Sequence, residues 1–114
     1  MSDCLFCKIA NKEIPSQCVY EDELVFAFKD IEPQAPVHIL IIPKEHILSA
    51  MELNEENARV ISHIFLTAKK IAKDLGIDEK GFRIVNNCGV DGGQTVGHLH
   101  FHMLGGRNLM WPPG

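Results

Sequence analysis

His98, His100 and His102 stand at alternate positions in the run His98-Leu99-His100-Phe101-His102. Each imidazole titrates near neutrality and can act as nucleophile, general acid, general base or metal ligand. Side chains alternate faces along a β-strand, so the three rings would share one side, about 6.6–7 Å apart at a rise of about 3.3 Å per residue. Leu99, Phe101 and Met103 would face the other way, into a core. A helix would scatter the same rings, because a step of two residues turns the chain by about 200°. Three readings fit the row. It is a strand with histidines on its wet face, a chelating pair at i and i+2 for zinc, or a nucleophile, His100, attacking phosphorus while its neighbours manage protons.

Just upstream lies Asn87-Cys88-Gly89-Val90-Asp91-Gly92-Gly93-Gln94-Thr95, a glycine-rich stretch ending three residues before His98. Glycines allow positive φ and close backbone approach, so successive N–H groups can form an anion-binding nest. The stretch is not a Walker loop, since it lacks the Gly-Lys-Ser/Thr ending and the following helix. By itself it also reads as an ordinary hairpin loop; leading into three histidines, it reads as a phosphate cradle beside a nucleophile. Cys4-Leu5-Phe6-Cys7 is a second close pair, a metal half-site or a redox pair. Cys18 and Cys88 read as plain thiols.

These groups need a scaffold. Residues 5–12 (LFCKIANK) read as a short helix, and 17–21 (QCVYE) with 24–29 (LVFAFK) as a hairpin turning at Asp22-Glu23. The proline-stiffened loop 31–36 leads into residues 38–42 (HILII), an apolar run suited to a central strand covered on both faces. A long helix is expected over 55–75, with Asn54 as N-cap, Glu55 and Glu56 in its first turn and Gly76 as the left-handed C-terminal residue. Ile61, Ile64, Phe65, Ala68, Ala72 and Leu75 would form its apolar stripe, leaving His63 solvated. Strands at 82–86 and 98–104 complete the pattern. The fold class is α+β: a mainly antiparallel sheet of about five strands with one long helix and a short N-terminal helix.

A chain of 114 residues, 46% hydrophobic, suits a single domain over 1–114 with one core, its residues 105–114 forming a C-terminal tail. The net charge of -4 and the lack of a Lys/Arg run argue against general nucleic-acid affinity. The start MSDCLFCKIA has no basic stretch followed by an apolar one, so no secretory signal is expected. No apolar run approaches the roughly 18 residues of a membrane span. The expected location is cytoplasmic, with no membrane partner.

The motifs together resemble a known family. His98-Leu99-His100-Phe101-His102-Met103-Leu104 is similar to the signature of the histidine triad (HIT) family. Asp30-Ile31, Pro33-Gln34-Ala35-Pro36, Asp91-Gly92-Gly93-Gln94-Thr95-Val96 and Trp111-Pro112-Pro113-Gly114 resemble its nucleotide-binding branch, the purine nucleoside phosphoramidases, over nearly the whole chain. The resemblance implies the HIT-like fold and two-step cleavage of a nucleoside 5′-phosphate adduct such as an AMP-amine, through a nucleotidyl-histidine. His100 would be the nucleophile, His102 would contact the α-phosphate oxygens, His38 would orient the nucleophile, and Thr95 would sit near the leaving group. Asn87, Gly93 and Gln94 would serve the phosphate region and Asp30 the ribose hydroxyls. Phe6, Ile9, Phe28 and Ile31 would line the base pocket, although their types fit a core equally well.

The cysteine pair resembles that of bacterial HIT proteins and of galactose-1-phosphate uridylyltransferase in the wider superfamily. By that resemblance Cys4, Cys7, His46 and His98 would bind a structural zinc not required by the chemistry; the plain alternative is two reduced thiols. His102, where the uridylyl transferase has glutamine, argues against uridylyl transfer. The resemblance also implies a homodimer with joined sheets and the long helices at the interface, each tail reaching towards the partner's site, where Trp111 would shape the leaving-group side. Purine nucleoside monophosphates and their adducts are the expected ligands. Other functions weighed are a dinucleoside polyphosphate hydrolase, a nucleotide-binding regulatory module with little turnover, and a zinc hydrolase using the triad as ligands.

Overall fold

Apolar residues at odd and even positions of the strands are buried on opposite faces of one sheet, and this parity organises the molecule. The computed structural model describes residues 3–114. The strands are β1 (Cys18–Glu21), β2 (Val25–Lys29), β3 (Val37–Pro43), β4 (Phe82–Val85) and β5 (Phe101–Gly105). They lie in the order β1-β2-β3-β5-β4, and every neighbouring pair is antiparallel. Val25, Ala27, Ile39, Ile41, Phe101 and Met103 face the long helix α2 (Arg59–Asp74), meeting its Val60, Ile64, Ala68, Ile71 and Ala72. Phe26, Phe28, Leu40 and Ile42 face the short helix α1 (Leu5–Ala10), meeting Phe6, Ile9 and Ala10. The central strand β3 is covered on both sides, as its uninterrupted apolar run predicts.

Several boundaries differ from the sequence reading. Helix α1 stops at Ala10 rather than at residue 12, because Lys12 takes a left-handed φ of 65°. Asn54 caps a separate turn instead of the long helix. Its Oδ1 accepts from the amides of Glu56 (2.8 Å) and Asn57 (3.0 Å), and Ala58 N–H returns to Asn54 C=O. Bonds from Val60 to Asn57 and from Ile61 to Ala58, each three residues back, then lead into α2 at Arg59. At the other end Gly76 is left-handed as expected, φ 74°, and Ile77 N–H reaches Ala72 C=O.

The buried stripe of α2 runs through Val60, Ile64, Thr67, Ala68, Ile71 and Ala72. Phe65 and Leu75, expected inside, are 49% and 44% exposed. Nor is His63 simply solvated. It donates through Nε2 to Asp22 Oδ2 at 2.7 Å, tying α2 to the β1–β2 turn.

The triad strand is shorter than 98–104. Extending the β3–β5 register of Ile41 opposite Phe101 would place Pro43 opposite Leu99. Proline has no N–H to give the ladder. Pro43 C=O accepts instead from the His98 ring, and Leu99 N–H turns to Ile47 C=O at 2.6 Å. Strand β5 therefore starts at Phe101, yet the side-chain alternation carries back through His98. Leu99 joins the α2 side, while Phe6, on the α1 side, lies edge-on to His98 and His100 with ring centroids 6.1 and 5.0 Å away.

Candidate active site and metal centre

The α1 side of the sheet holds all three triad histidines, joined there by His38 at the start of β3. Leu40 pairs with His102 and His38 with Leu104, so His38 and His102 are diagonal neighbours on one face. Their rings meet, His38 Nε2 lying 2.9 Å from His102 Nδ1. His98 is fully buried, His100 and His38 nearly so, and His102 is half-buried.

A neutral imidazole carries one N–H and one lone pair, and its partners assign which nitrogen holds which. Gln34 N–H donates to His38 Nδ1 at 3.0 Å, so the proton of His38 is on Nε2 and is given to His102 Nδ1. His102 then keeps its own proton on Nε2, facing outward as a donor. Asp30 Oδ2, 3.4 Å from His38 Nε2, favours the same arrangement. His100 Nδ1 lies 2.7 Å from the carbonyl of His98, which can only accept, so the free lone pair of the neutral His100 ring is on Nε2. His98 Nε2 donates to Pro43 C=O at 2.9 Å, which turns its Nδ1 lone pair towards the cysteines.

Burial holds both His38 and His102 below the ordinary imidazole range. Asp30 partly offsets this for His38, while His100 and His38 add to it for His102. Burial also lowers His98, against the pull of the Pro43 carbonyl. Burial thus keeps His38 and His102 in the neutral state that their accepting Nδ1 atoms require.

Cys4 Sγ lies 3.3 Å from His98 Nδ1, Cys7 Sγ 3.6 Å from the same atom and 3.3 Å from His46 Nδ1. All four ligand atoms fall within 4.8 Å of one another. In a tetrahedral zinc site, with Zn–S about 2.3 Å and Zn–N about 2.0 Å, a sulfur-to-nitrogen edge is about 3.5 Å. The two-sulfur, two-imidazole donor set therefore fits zinc in both chemistry and spacing. Burial and the adjacent Cys4 sulfur push the Cys7 thiol up to about 11, so a nearby cation would favour its ionisation. Asp30, His38 and His102 also converge within the same limit. There, however, the Gln34 amide leaves a proton rather than a lone pair on His38 Nε2, so the cluster is a hydrogen-bond relay and not a ligand set. The three triad imidazoles do not aim at one point, which removes the reading of the triad as a single metal site.

The other expected positions are distributed as follows. Phe6, Ile9 and Phe28 are buried beneath the histidines, Phe6 and Phe28 edge-on with centroids 5.6 Å apart, whereas Ile31 is 95% exposed at the rim. Asn87 is half-buried just after β4, Thr95 is exposed, and Trp111 is 79% exposed on the tail. The glycine loop spends its amides on itself. Gly93 N–H goes to Val90 C=O, Gln94 N–H to Gly89 C=O, and Gly89 N–H to Gln94 Oε1, each at 3.0 Å. Gln94 Nε2 anchors the loop to Leu48 C=O and Val96 C=O. A Cβ at Gly92 would collide with the Cys88 carbonyl oxygen, so tight folding, rather than an open nest of those amides, explains the glycine content.

Sequence reasoning missed Asn86, whose Nδ2 donates to the His100 carbonyl at 2.9 Å, just where the β4–β5 pairing ends. The polar Asn86-Asn87 doublet closing an apolar strand was the available signal. Nothing in the sequence pointed to the backbone partners at Gln34, Pro43 and His98.

A profile of the HIT domain matches residues 11–109. The chain is 50% identical over 114 residues to a 14 kDa zinc-binding protein of Brassica juncea, covering 98% of this chain and all of that one. It superposes on the crystal structure of a HIT family hydrolase from Legionella pneumophila with a TM-score of 0.96 and 50% identity, covering 98% and 100% of the two chains. A histidine triad nucleotide-binding protein from Candida albicans follows at TM-score 0.82 and 34% identity, covering 96% and 83%. Given this fold and triad geometry, the chain belongs to the HIT domain family.

Proposed function

We propose that this protein hydrolyses the P–N bond of purine nucleoside 5′-phosphoramidates such as AMP-amines, in two steps through His100. The observation that carries the reading is the 2.7 Å bond from His100 Nδ1–H to the His98 carbonyl, which leaves the Nε2 lone pair of the central histidine free. In the first step Nε2 attacks the α-phosphorus; an N–P bond forms, the bond to the leaving amine breaks, and the amine departs with a proton taken from solvent, which the attacking water of the second step returns. In the second, water attacks the same phosphorus, the histidine–phosphorus bond breaks, and AMP leaves with His100 restored. His102 Nε2–H donates to the α-phosphate oxygens, its orientation set by the proton from His38. Thr95 supplies a hydroxyl on the leaving-group side. Asp30 has one oxygen facing the relay and the other accepting from Glu32 N–H; in this reading it takes the ribose hydroxyls at the edge of that cluster. Phe6, Ile9, Phe28 and Ile31 form the base side, Asn87 lies on the phosphate side with Gly93 and Gln94 holding the shape of the loop beside it, and Trp111 reaches the leaving group of a partner subunit in a homodimer.

Cys4, Cys7, His46 and His98 hold zinc in this reading. The ion supplies structure, joining the N-terminal helix to the triad segment. The likeness to a plant protein named for zinc binding supports it. A cytoplasmic, reducing location keeps the thiols available.

Incubation with an adenosine phosphoramidate is expected to release AMP, and His100→Ala to lower turnover by at least about 1,000-fold while AMP binding stays within a few-fold. Full turnover by His100→Ala overturns the mechanism. Tight AMP binding with negligible hydrolysis of every adduct by the wild type would favour a regulatory module instead.

A further inference from the structure

The loop that sets the tautomer of His38 is itself held from outside, by the tail. We propose that Arg107 is a positioning residue of the site: by gripping the Gln34 carbonyl it keeps the Gln34 amide on His38, and so keeps the His38–His102 hydrogen bond running in its productive sense. The inference rests on the phosphoramidase reading for its kinetic part only.

Arg107 Nε and Nη2 both donate to Gln34 C=O, at 3.2 and 3.0 Å, and Nη1 donates to Asn108 C=O at 3.1 Å. All three guanidinium nitrogens are thereby spent on backbone. Gln34 lies in Pro33-Gln34-Ala35-Pro36, where the prolines offer no N–H, so only Gln34 and Ala35 supply amides in that turn. The Gln34 amide is the one on His38 Nδ1. The base of the loop is closed independently by Asp30 N–H to His38 C=O at 3.0 Å, and its near side by Asp30 Oδ1 accepting from Glu32 N–H at 2.7 Å. The Gln34 end is closed within the loop by Gln34 Nε2 donating to Glu32 C=O at 3.0 Å, and Arg107 ties its carbonyl to the tail.

Tail and loop also fit sterically. Gly106 has φ of 91°, and a Cβ there would come within 2.9 Å of Pro36 Cβ, so the backbone before Arg107 lies directly against the loop. If the Gln34 amide withdraws, His38 can carry its proton on Nδ1. Its Nε2 lone pair then opposes the lone pair of His102 Nδ1, and the donor facing the phosphate is no longer fixed.

The test uses the full chain with zinc bound, comparing wild type with Arg107→Met, Arg107→Lys and Arg83→Met. Arg83 is the control for a loosened tail, because it donates to the carbonyls of Leu109 and Met110 without touching the loop. Ring ¹H–¹⁵N correlation spectra report the tautomer of His38. The wild type is expected to show the proton on Nε2, and Arg107→Met to populate the Nδ1–H form. With phosphoramidate, Arg107→Met should lower kcat about tenfold with KM within about twofold, the signature of a lost transition-state contact. Arg107→Lys, keeping the charge but not the fork, should fall between, and Arg83→Met should leave the tautomer as in the wild type. An unchanged His38 tautomer in Arg107→Met overturns the proposal. So does a changed tautomer with unchanged kcat, or the same shift in Arg83→Met. Should the wild type fail to turn over phosphoramidates, the function proposed above falls, while the tautomer comparison still decides whether Arg107 sets His38.

Discussion

Three backbone groups give the histidines their roles: the Gln34 amide on His38, the His98 carbonyl on His100 and the Pro43 carbonyl on His98. His38 and His102 each accept through Nδ1 and so have to stay neutral, and burial holds both below the ordinary imidazole range. The sign for stability follows from linkage. Where the folded state binds fewer protons than the unfolded chain, stability rises with pH. As pH falls below about 6.5 the unfolded histidines protonate first, so stability is lost from there down to the lowered folded values, and is fully present above. Urea unfolding from pH 8 to pH 5 should show this loss, and His38→Asn should flatten it; an equal slope in the variant would refute the assignment. Asp22 has the same sign, in a more acidic window. Burial alone would raise its pKa, but hydrogen bonds from His63, the Leu24 and Val25 amides and Tyr20 outweigh it and hold the carboxyl well below its usual range. Its contribution is present above the ordinary carboxylate pKa and is lost as pH falls through the lowered value. Asp22→Ala is expected to cost about 2 kcal/mol at pH 7 in urea melts, with kcat unchanged because the cluster lies on the α2 side, away from the triad.

At the scale of elements, the zinc-type cluster joins three segments: α1 through Cys4 and Cys7, the turn after β3 through His46, and the run before β5 through His98. Helix α1 has only six residues, too short to be stable without tertiary support. A bound zinc would fasten it to the segment whose carbonyl holds His100. Cys4→Ser should therefore lose bound metal, measured by elemental analysis, and lower the melting temperature by several degrees, with a smaller loss of turnover than His100→Ala. Undiminished zinc content would refute the ligand set. The sheet was legible for a simple reason: the period-2 alternation of 98–104 and the apolar runs 24–28 and 38–42 record burial on one face or two. What escaped the sequence lay in backbone bonding. Asn54 carries the right side chain for a helix cap, yet satisfies a separate turn, and Pro43 ends the β3–β5 ladder two pairs early. Helical periodicity marked Ile64, Ala68 and Ala72 correctly but rotated the stripe past Phe65, since nothing in a single sequence says which apolar flank of a helix meets its own sheet. The site residues were legible by type. Their tautomers were not, because each is set by a backbone group that carries no side-chain signature: the carbonyl two residues before His100, the amide four before His38 and, far along the chain, the Pro43 carbonyl on His98.

At the scale of the whole molecule, the surface keeps apolar area that the fold does not use. Phe65 and Leu66 on α2 are 49% and 64% exposed, and Met110 and Trp111 on the tail 71% and 79%. Phe65 already touches the core, edge-on to Phe101 with centroids 6.2 Å apart, so its outer half and Leu66 continue the core outward. Beside them β4 is an edge strand, with β5 on one side only, and such an edge offers unpaired N–H and C=O groups to another chain. The tail runs along the same end, held where Arg83 Nη2 meets the Met110 carbonyl at 2.9 Å and the guanidinium lies 5.9 Å from the Trp111 ring centroid. Helix face, open edge and tail together suit an isologous interface, in which each patch meets its own copy across a two-fold axis. A charge at its centre would be buried without a partner in the dimer but solvated in the monomer. Leu66→Glu is therefore expected to convert a dimer into a monomer in sedimentation-velocity or light-scattering measurements, with the wild type running as a dimer at micromolar concentration. Its far-ultraviolet spectrum should remain native, because Leu66 is outside the core. If the dimer supplies Trp111 to the partner's leaving-group side, the monomeric variant loses activity on adducts with bulky amines more than on the smallest one. A wild type that sediments as a monomer, or a Leu66→Glu variant that remains a dimer, refutes this interface.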